Sequence, residues 1–253
     1  MPSGITSRPM PSPGMTAMTC SFMERQYIEF AVRFAALETS TEWCSVACHV
    51  DGEIRSLERR AGQRHSQLAL PMLRFLLEDF GLRSKDLEAI AFGAGPGSFT
   101  GLRIACGLAQ GFALARGVPV LGISSFESIA EESGASRVLA CLDARMREVY
   151  YAALEKEAGG WREVIGAQCT APRVAPRPPG AGWIGCGSGF AAFPDLSMTL
   201  GVEKSFAELH PTAAAIARLA APRLARGEGV DAAAAAPRYL RDKVALTRHE
   251  RGT

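Results

Sequence analysis

Apolar positions in the first half of the chain alternate or cluster in short segments, and this pattern predicts a β-sheet. Asp51-Gly52 is a hairpin turn signal between two of these segments, because glycine accepts a positive φ there. Other segments are continuously apolar, as in buried strands. The predicted strands are 33–38, 43–50, 53–58, 87–92 and 118–121.

A longer apolar run at 66–80 predicts an amphipathic helix between the candidate N-cap Ser66 and the candidate stop Gly81. A surface helix on a single core needs only one apolar stripe. This helix carries two stripes, one with Leu70, Leu73, Leu77 and Phe80 and the other with Leu68, Ala69, Met72, Phe75 and Leu76. It is therefore expected to be sandwiched within its domain or to meet another chain as well.

The glycine-rich segment 91–117 predicts a tight turn followed by a helix over 98–116. No lysine follows the glycines as a Walker loop requires, and Ser98 stands where a dinucleotide fingerprint needs its third glycine. A phosphate on the bare helix N-terminus at 98–101 stays open as an alternative. Two stripes of small residues follow the helix, namely Gly101, Ala105, Ala109 and Ala113, and Gly107, Gly111 and Ala115.

The small residues of this helix need an explanation, because each glycine costs about 1 kcal/mol of helix propensity relative to alanine. Close packing supplies one, either inside the domain or against a helix of another subunit. Because helix 66–80 also has excess apolar surface, we favour the partner subunit.

The second half of the chain repeats the pattern of the first. "LACLD" at 139–143 resembles "FAALE" at 34–38, and each is an apolar strand that ends on a leucine and a carboxylate. This predicts two similar lobes. The expected parts are a disordered extension over 1–30, a first lobe over 31–123, a second lobe over 124–230 and a mostly exposed tail over 231–253. An alanine-rich helix at 212–226 falls in the second lobe.

Composition excludes several classes of protein. The chain has 253 residues with a net charge of +2, which favours no charged partner, and its seven cysteines lie mostly in apolar runs, as in a reduced, cytoplasmic protein. The uncharged stretch 104–115 is too short for a membrane span. The first thirty residues suggest a disordered tail or an upstream start with Met23 as the true beginning, and a transit peptide is a third alternative.

Candidate metal ligands are few. Cys44, Cys48 and His49 lie close in sequence, but on a strand His49 points away from Cys48. No second Cys/His pair has ligand spacing. We therefore expect core packing for these residues and no metal site.

Four segments together resemble the TsaB family: "GAGPGSFTGLRIACGLAQGFAL", "ALETSTEWCSVA", "LDARMREVYYA" and "PRYLR". The resemblance covers about 33–242. It implies an α/β fold of the actin-like ATPase (ASKHA) superfamily with two RNase-H-like lobes, the second of them reduced. It also implies a non-catalytic paralogue of TsaD, the subunit that transfers a threonylcarbamoyl group to the tRNA adenosine 3′-adjacent to the anticodon.

The resemblance further implies partners and an interface. TsaD would bind through two helices from each subunit, which here are 66–80 and 98–116, and the ATPase TsaE would join the complex. The chain alone would form a homodimer and would contact tRNA only indirectly. No cofactor is expected, with a nucleotide conceivable only at the partner interface. The expected interface residues are Leu68, Met72, Phe75, Leu76, Gly101, Leu102, Ala105, Ala109 and Ala113.

Working members of the superfamily carry Asp-x-Gly at two phosphate turns, where glycine lets the backbone approach phosphate. The corresponding turns here begin at Glu38 and Asp143, and neither has the glycine. Glu38, Ser40, Asp143 and Arg145 are therefore expected to be vestigial, with Asp143 and Arg145 satisfying each other at a hairpin turn. Arg145 touching tRNA or nucleotide is the alternative.

Two other functions remain as alternatives to a scaffold. An ATP-dependent small-molecule kinase or transferase would need the missing glycines, and the metal pair of TsaD-type enzymes has no counterpart among the four histidines. A peptidase would need a Ser/His/Asp or Cys/His arrangement, and none is evident in the sequence.

Overall fold

Two five-stranded sheets organise the chain, and the computed structural model describes residues 32–241. The first sheet has the order β3-β2-β1-β4-β5 and consists of β1 Phe34–Glu38, β2 Trp43–Val50, β3 Glu53–Arg60, β4 Ala89–Gly95 and β5 Val120–Ser124. The second has the order β10-β9-β6-β7-β8 and consists of β6 Arg137–Asp143, β7 Val149–Glu157, β8 Gly160–Thr170, β9 Ile184–Cys186 and β10 Ser205–Phe206.

The two sheets share one topology. In each, the first three strands form an antiparallel meander and the last two add in parallel beside the first strand. The similar segments 34–38 and 139–143 are the central strands β1 and β6. The repeat in the sequence therefore corresponds to a repeat of the sheet.

Within residues 32–241, six α-helices accompany the sheets: α1 His65–Asp79, α2 Phe99–Arg116, α3 Ser125–Ser133, α4 Gly189–Ala192, α5 Leu196–Leu200 and α6 Ala213–Ala225. Helix α2 begins where the sequence predicts, because Ser98 Oγ accepts a hydrogen bond from the Gly101 amide at 3.3 Å. It ends at Gly117, whose φ of 65° is left-handed. None of the described helices is long and apolar enough to cross a membrane.

The position of helix α6 differs from the expected division into lobes. It was placed in the second lobe, but it covers the first sheet, where Ile216 and Ala220 pack against Phe34 and Ala91. Its N-terminus is tied to the same sheet, because the Ala213 amide donates to Ser45 Oγ at 3.0 Å. Helices α1 and α2 cover the opposite face of this sheet. Without α6, the apolar strand residues on its own face of the sheet would be exposed to water.

The segment expected as an exposed tail is also partly packed. Ala232 and Ala235 join the core beneath α2, and Gln110 Nε2 donates to the Ala235 carbonyl at 2.9 Å. Arg238 then donates its amide to the Ala94 carbonyl at 2.7 Å. Residues 231–241 thus form a strap along the first lobe, while 242–253 and the expected extension 1–30 lie outside the described residues.

The small-residue stripe predicted to meet a partner faces inward instead, so that part of the expected interface is wrong. Its members pack in the core that α1 and α2 form with the first sheet, because their small side chains bring the helix backbone close to β1 and β4. The predicted interface residues buried in this chain are Met72, Leu76, Gly101, Leu102, Ala105, Ala109 and Ala113. Of the remaining two, Leu68 is half-buried and Phe75 is 58% exposed.

The described cysteines are free thiols, and five of the six are buried. Cys44 and Cys48 point into the core beneath α1, as expected from the strand period. His49 lies on the other side, where it stacks on Phe34 with ring centroids 4.9 Å apart. These three residues therefore pack the core and do not converge on a common point.

Two glycines of α2 should respond oppositely to replacement by alanine. A Cβ at Gly101 would lie 1.9 Å from the Thr39 carbonyl oxygen, whereas one at Gly107 meets nothing within 4 Å. We expect Gly101→Ala to lower the free energy of unfolding by about 3 kcal/mol, and Gly107→Ala to raise it by about 0.5–1 kcal/mol. Urea unfolding followed by circular dichroism measures both, and equal effects would contradict the orientation of α2.

Candidate functional site

The central strands of the two sheets end at a common cleft. β1 ends at Glu38 and β6 at Asp143, and the turns after them lie on opposite sides of an open cavity of about 1320 Å³. Carboxyl ends of parallel strands are where α/β proteins commonly place ligands. Ser40, Asp143 and Arg145 line this cleft, as do residues of the strap.

The first turn is sealed by the glycine-rich segment. A Cβ at Gly93 would lie 1.9 Å from Glu38 Oε2, and a Cβ at Gly97 would lie 2.6 Å from the Ser40 Cβ. The contact is also hydrogen-bonded, because Ser98 donates its amide to the Ser40 carbonyl at 2.7 Å and Thr39 Oγ1 donates to the Gly101 carbonyl at 2.7 Å. The glycines thus make room for the chain's own turn.

Glu38 is completely buried within this contact. Its Oε1 accepts a hydrogen bond from the Ser40 amide, and its Oε2 has no hydrogen-bond partner among residues 32–241. Burial raises the pKa of Glu38 to about 7, although hydrogen bonds from Ser40 and Thr39 act in the opposite direction. The side chain lies behind the wall of the cleft and does not line it.

His210 stands beside this wall and was not expected from the sequence. Its ring stacks on Trp43 with centroids 5.0 Å apart, and its Nε2 lies 3.1 Å from Glu58 Oε1. Burial lowers the pKa of His210, but Glu58 and the Glu208 carbonyl outweigh burial, so the pKa is raised. No sequence pattern indicates this group, because His210 lies more than 150 positions from both Trp43 and Glu58.

The second turn is open to solvent and held in an uncommon conformation. Arg145, Met146 and Arg147 have φ values of 60°, 53° and 63°, in the left-handed region that non-glycine residues rarely adopt. Asp143 Oδ1 accepts from the Arg145 amide at 2.8 Å, and its Oδ2 lies 3.5 Å from Arg145 Nη1. Asp143 therefore holds the turn mainly through the Arg145 amide, whereas its pair with the exposed Arg145 guanidinium is long and solvated.

The strap holds this second turn from the outside. Arg241 Nη1 donates to the Ala144 carbonyl at 2.9 Å, and Arg241 Nη2 pairs with Glu148. Two residues earlier, the Tyr239 ring lies 5.3 Å from the Phe99 ring at the start of α2. The "PRYLR" segment stood out in the sequence, but its role as a link between α2 and the second turn depends on contacts that no sequence pattern shows.

The predicted site residues thus fall into separate places. Ser40, Asp143 and Arg145 meet at the cleft, and Glu38 lies behind it. The predicted interface residues lie on α1 and α2. Among the described residues, no group of three or more His, Cys, Asp or Glu side chains could hold a metal ion.

The buried carboxyl predicts a pH dependence of stability. Because the pKa of Glu38 rises from its ordinary value of 4.5 to about 7 on folding, the unfolded chain releases this proton first. Stability should therefore fall as pH rises from about 4.5 to 7, by on the order of 3 kcal/mol. Glu38→Gln cannot ionise and should lack this loss.

Urea midpoints of both proteins at pH 5 and pH 7.5 measure this effect. The raised pKa of His210 also makes stability fall with rising pH, but both proteins keep His210, so their difference isolates Glu38. Parallel pH profiles of the two proteins would contradict a buried carboxyl with a raised pKa.

Comparisons with known proteins identify the family. The family model of TsaD, described as tRNA N6-adenosine threonylcarbamoyltransferase, matches residues 58–248. The tRNA threonylcarbamoyladenosine biosynthesis protein TsaB of Escherichia coli is 36% identical over 223 residues, which is 85% of this chain and 96% of that protein. The protein of the same name from Haemophilus influenzae is 40% identical over 55% of this chain and 64% of its own length.

A solved structure gives the same result. YeaZ from Pseudomonas aeruginosa superposes with a TM-score of 0.77 at 39% identity, over 83% of this chain and all of that one. From its sequence and its fold, the chain belongs to the TsaB family.

Proposed function

We propose that this chain acts in tRNA threonylcarbamoyladenosine biosynthesis as a non-catalytic subunit that binds and activates a TsaD-type transferase. The names of its relatives supply the pathway. The observation that carries the role is an exposed apolar face on α1 and α2. We call this the helix face and define it by Leu70, Pro71, Phe75, Gly107, Gly111 and Leu114.

The helix face exposes large apolar side chains that are not part of the core of the first lobe. Leu70, Phe75 and Leu114 are 50%, 58% and 80% exposed, and all three lie on two helices that cover the same face of one sheet. Contiguous exposed apolar surface of this kind marks interaction sites. Arg74 and Glu78 pair at 2.7 Å on the exposed side of the same helix, so the face also carries polar groups, as interfaces do.

The glycines of the helix face point to a partner's backbone. Within this chain a Cβ at Gly107 or Gly111 would meet nothing within 4 Å, so no internal contact requires these glycines. Each nevertheless costs about 1 kcal/mol of helix propensity. Close approach of a helix from another chain offsets that cost. We therefore propose that the partner meets the outer stripe of α2, and not the inner stripe expected from the sequence.

The cleft supports a non-catalytic role. Thr39 and Ser40 pack against Gly101 and Gly97 in this chain. They fill the space that a phosphate would need if it were bound at this turn as in an actin-like ATPase. We assign the repeated sheets to that superfamily, as two RNase-H-like lobes with the second reduced. A kinase or transferase acting alone is disfavoured because the buried Glu38 cannot reach a ligand in the cleft.

The remaining partners follow from the same proposal. TsaD occupies the helix face in the complex, and the ATPase TsaE joins the pair. Without TsaD, the same apolar face pairs with a second copy of this chain, because its exposed apolar side chains would otherwise face water. A role on tRNA places the protein in the cytoplasm.

Gly111→Leu tests the helix face directly. We expect it to weaken binding of the chain to the TsaD of the same organism at least about tenfold, because the added side chain holds the partner helix away. The free chain should keep its stability, since the position is open. The matched control is Gly159→Leu, which fills an equally open glycine between β7 and β8.

Calorimetric titration of each variant with TsaD gives the affinities. Mass spectrometry of tRNA nucleosides from cells that carry each variant gives the threonylcarbamoyladenosine content. Normal binding by Gly111→Leu would remove the helix face from the proposal. Unchanged threonylcarbamoyladenosine after complete depletion of the chain would overturn the proposed pathway.

A further inference from the structure

We propose that the chain contacts tRNA directly, through a cationic and aromatic rim where the strap joins α2 to the second turn. The rim is defined by Phe99, Arg103, Arg145, Met146, Arg147 and Tyr239. This inference rests on the proposed function, since the pathway supplies the RNA, but it replaces an indirect contact with a binding surface on this chain.

The first part of the rim is a stacked cluster on α2. The Arg103 guanidinium lies 3.8 Å from the centre of the Phe99 ring, and its Nε donates to the Tyr239 hydroxyl at 3.1 Å. Tyr239 is 42% exposed. Within residues 32–241 Arg103 forms no ion pair, so its charge is held in place by aromatic groups and stays available to an anion.

The second part of the rim is the turn after β6. Its left-handed backbone at 145–147 presents three consecutive exposed side chains, and Arg145 is 87% exposed. The pair between Arg145 and Asp143 is long and solvated, and such pairs contribute little. Arg147 has no ion pair in the described part of the chain. The two guanidiniums are therefore largely uncompensated.

The strap keeps the two parts of the rim together. Tyr239 contacts α2, and Arg241, two residues on, bonds the Ala144 carbonyl and lies 3.6 Å from Met146 Sδ. Of the nearby acids, Glu148 pairs with Arg241 and Glu42 pairs with Arg60, which leaves Asp143 and Glu208 beside Arg103, Arg145 and Arg147. The local charge is therefore positive, although the chain as a whole is almost neutral.

The combination of flat and charged groups favours RNA over an acidic protein. Proteins bind unstacked bases on aromatic and guanidinium planes, and bind the backbone through arginine contacts to phosphate. Phe99, Arg103 and Tyr239 supply such planes, while Arg145 and Arg147 supply free charges beside an open cleft. Arg103 is one helical turn from Gly107, so an RNA on the rim would lie beside the partner on the helix face.

The test uses the complex of this chain with the TsaD of the same organism and an unmodified transcript of a tRNA that the complex modifies. The rim variant is Arg145→Glu with Arg147→Glu. The control is Arg59→Glu with Arg173→Glu, which changes the net charge equally at exposed positions outside the cleft. Arg145→Lys with Arg147→Lys keeps the charge. Fluorescence anisotropy at several salt concentrations gives the affinities, and gel filtration confirms assembly.

We expect the rim variant to bind tRNA at least about tenfold more weakly, with a salt dependence reduced by about two released ions. The control and the lysine variant should bind tRNA as tightly as the chain with its natural sequence. Unchanged binding by the rim variant, or equal losses in rim variant and control, would overturn the proposal. Loss of assembly in the rim variant alone would assign the rim to a protein contact instead. Failure of the unmodified chain to assemble with TsaD would instead contradict the proposed function.

Discussion

The structure depends on the contact between the turn after β1 and the glycine-rich segment that leads into α2. A single added carbon would fall 1.9 Å from Glu38 Oε2 at Gly93 and 1.9 Å from the Thr39 carbonyl oxygen at Gly101, so neither position has room for a side chain. This contact fixes where α2 begins and how it is rotated. It also buries Glu38 and closes the first side of the cleft, so one packing constraint determines both the fold and the chemistry that the cleft can support.

The rotation of α2 separates its two stripes of small residues. The inner stripe packs on the first sheet, and the outer stripe with Gly107 and Gly111 is left open. Contacts within this chain explain the inner glycines and alanines, whereas no contact among residues 32–241 requires Gly107 or Gly111. The inner stripe of α2 is therefore used by the fold, and only the outer stripe is exposed to a partner.

Local patterns predicted the strands of the first sheet, α1, α2 and the similarity of β1 to β6, because each depends on periodicity or on residues close in sequence. They could not predict which stripe of α2 faces inward, since both stripes are equally small and the choice is made by the Thr39 carbonyl. Nor could they place α6 on the first sheet or His210 beside Trp43. These contacts join residues more than a hundred positions apart, and neither local propensity nor spacing carries that information.

The two sides of the cleft differ in a way that limits what can bind there. The first turn is sealed by glycine contacts and offers no free backbone, while the second is exposed, strained and braced by Arg241. A nucleotide held as in an actin-like ATPase would need phosphate contacts from both turns, and only one is accessible. A macromolecule needs only the rim and the adjoining helix face. The sealed first turn therefore favours the proposed role, in which the chain works by contact with larger partners.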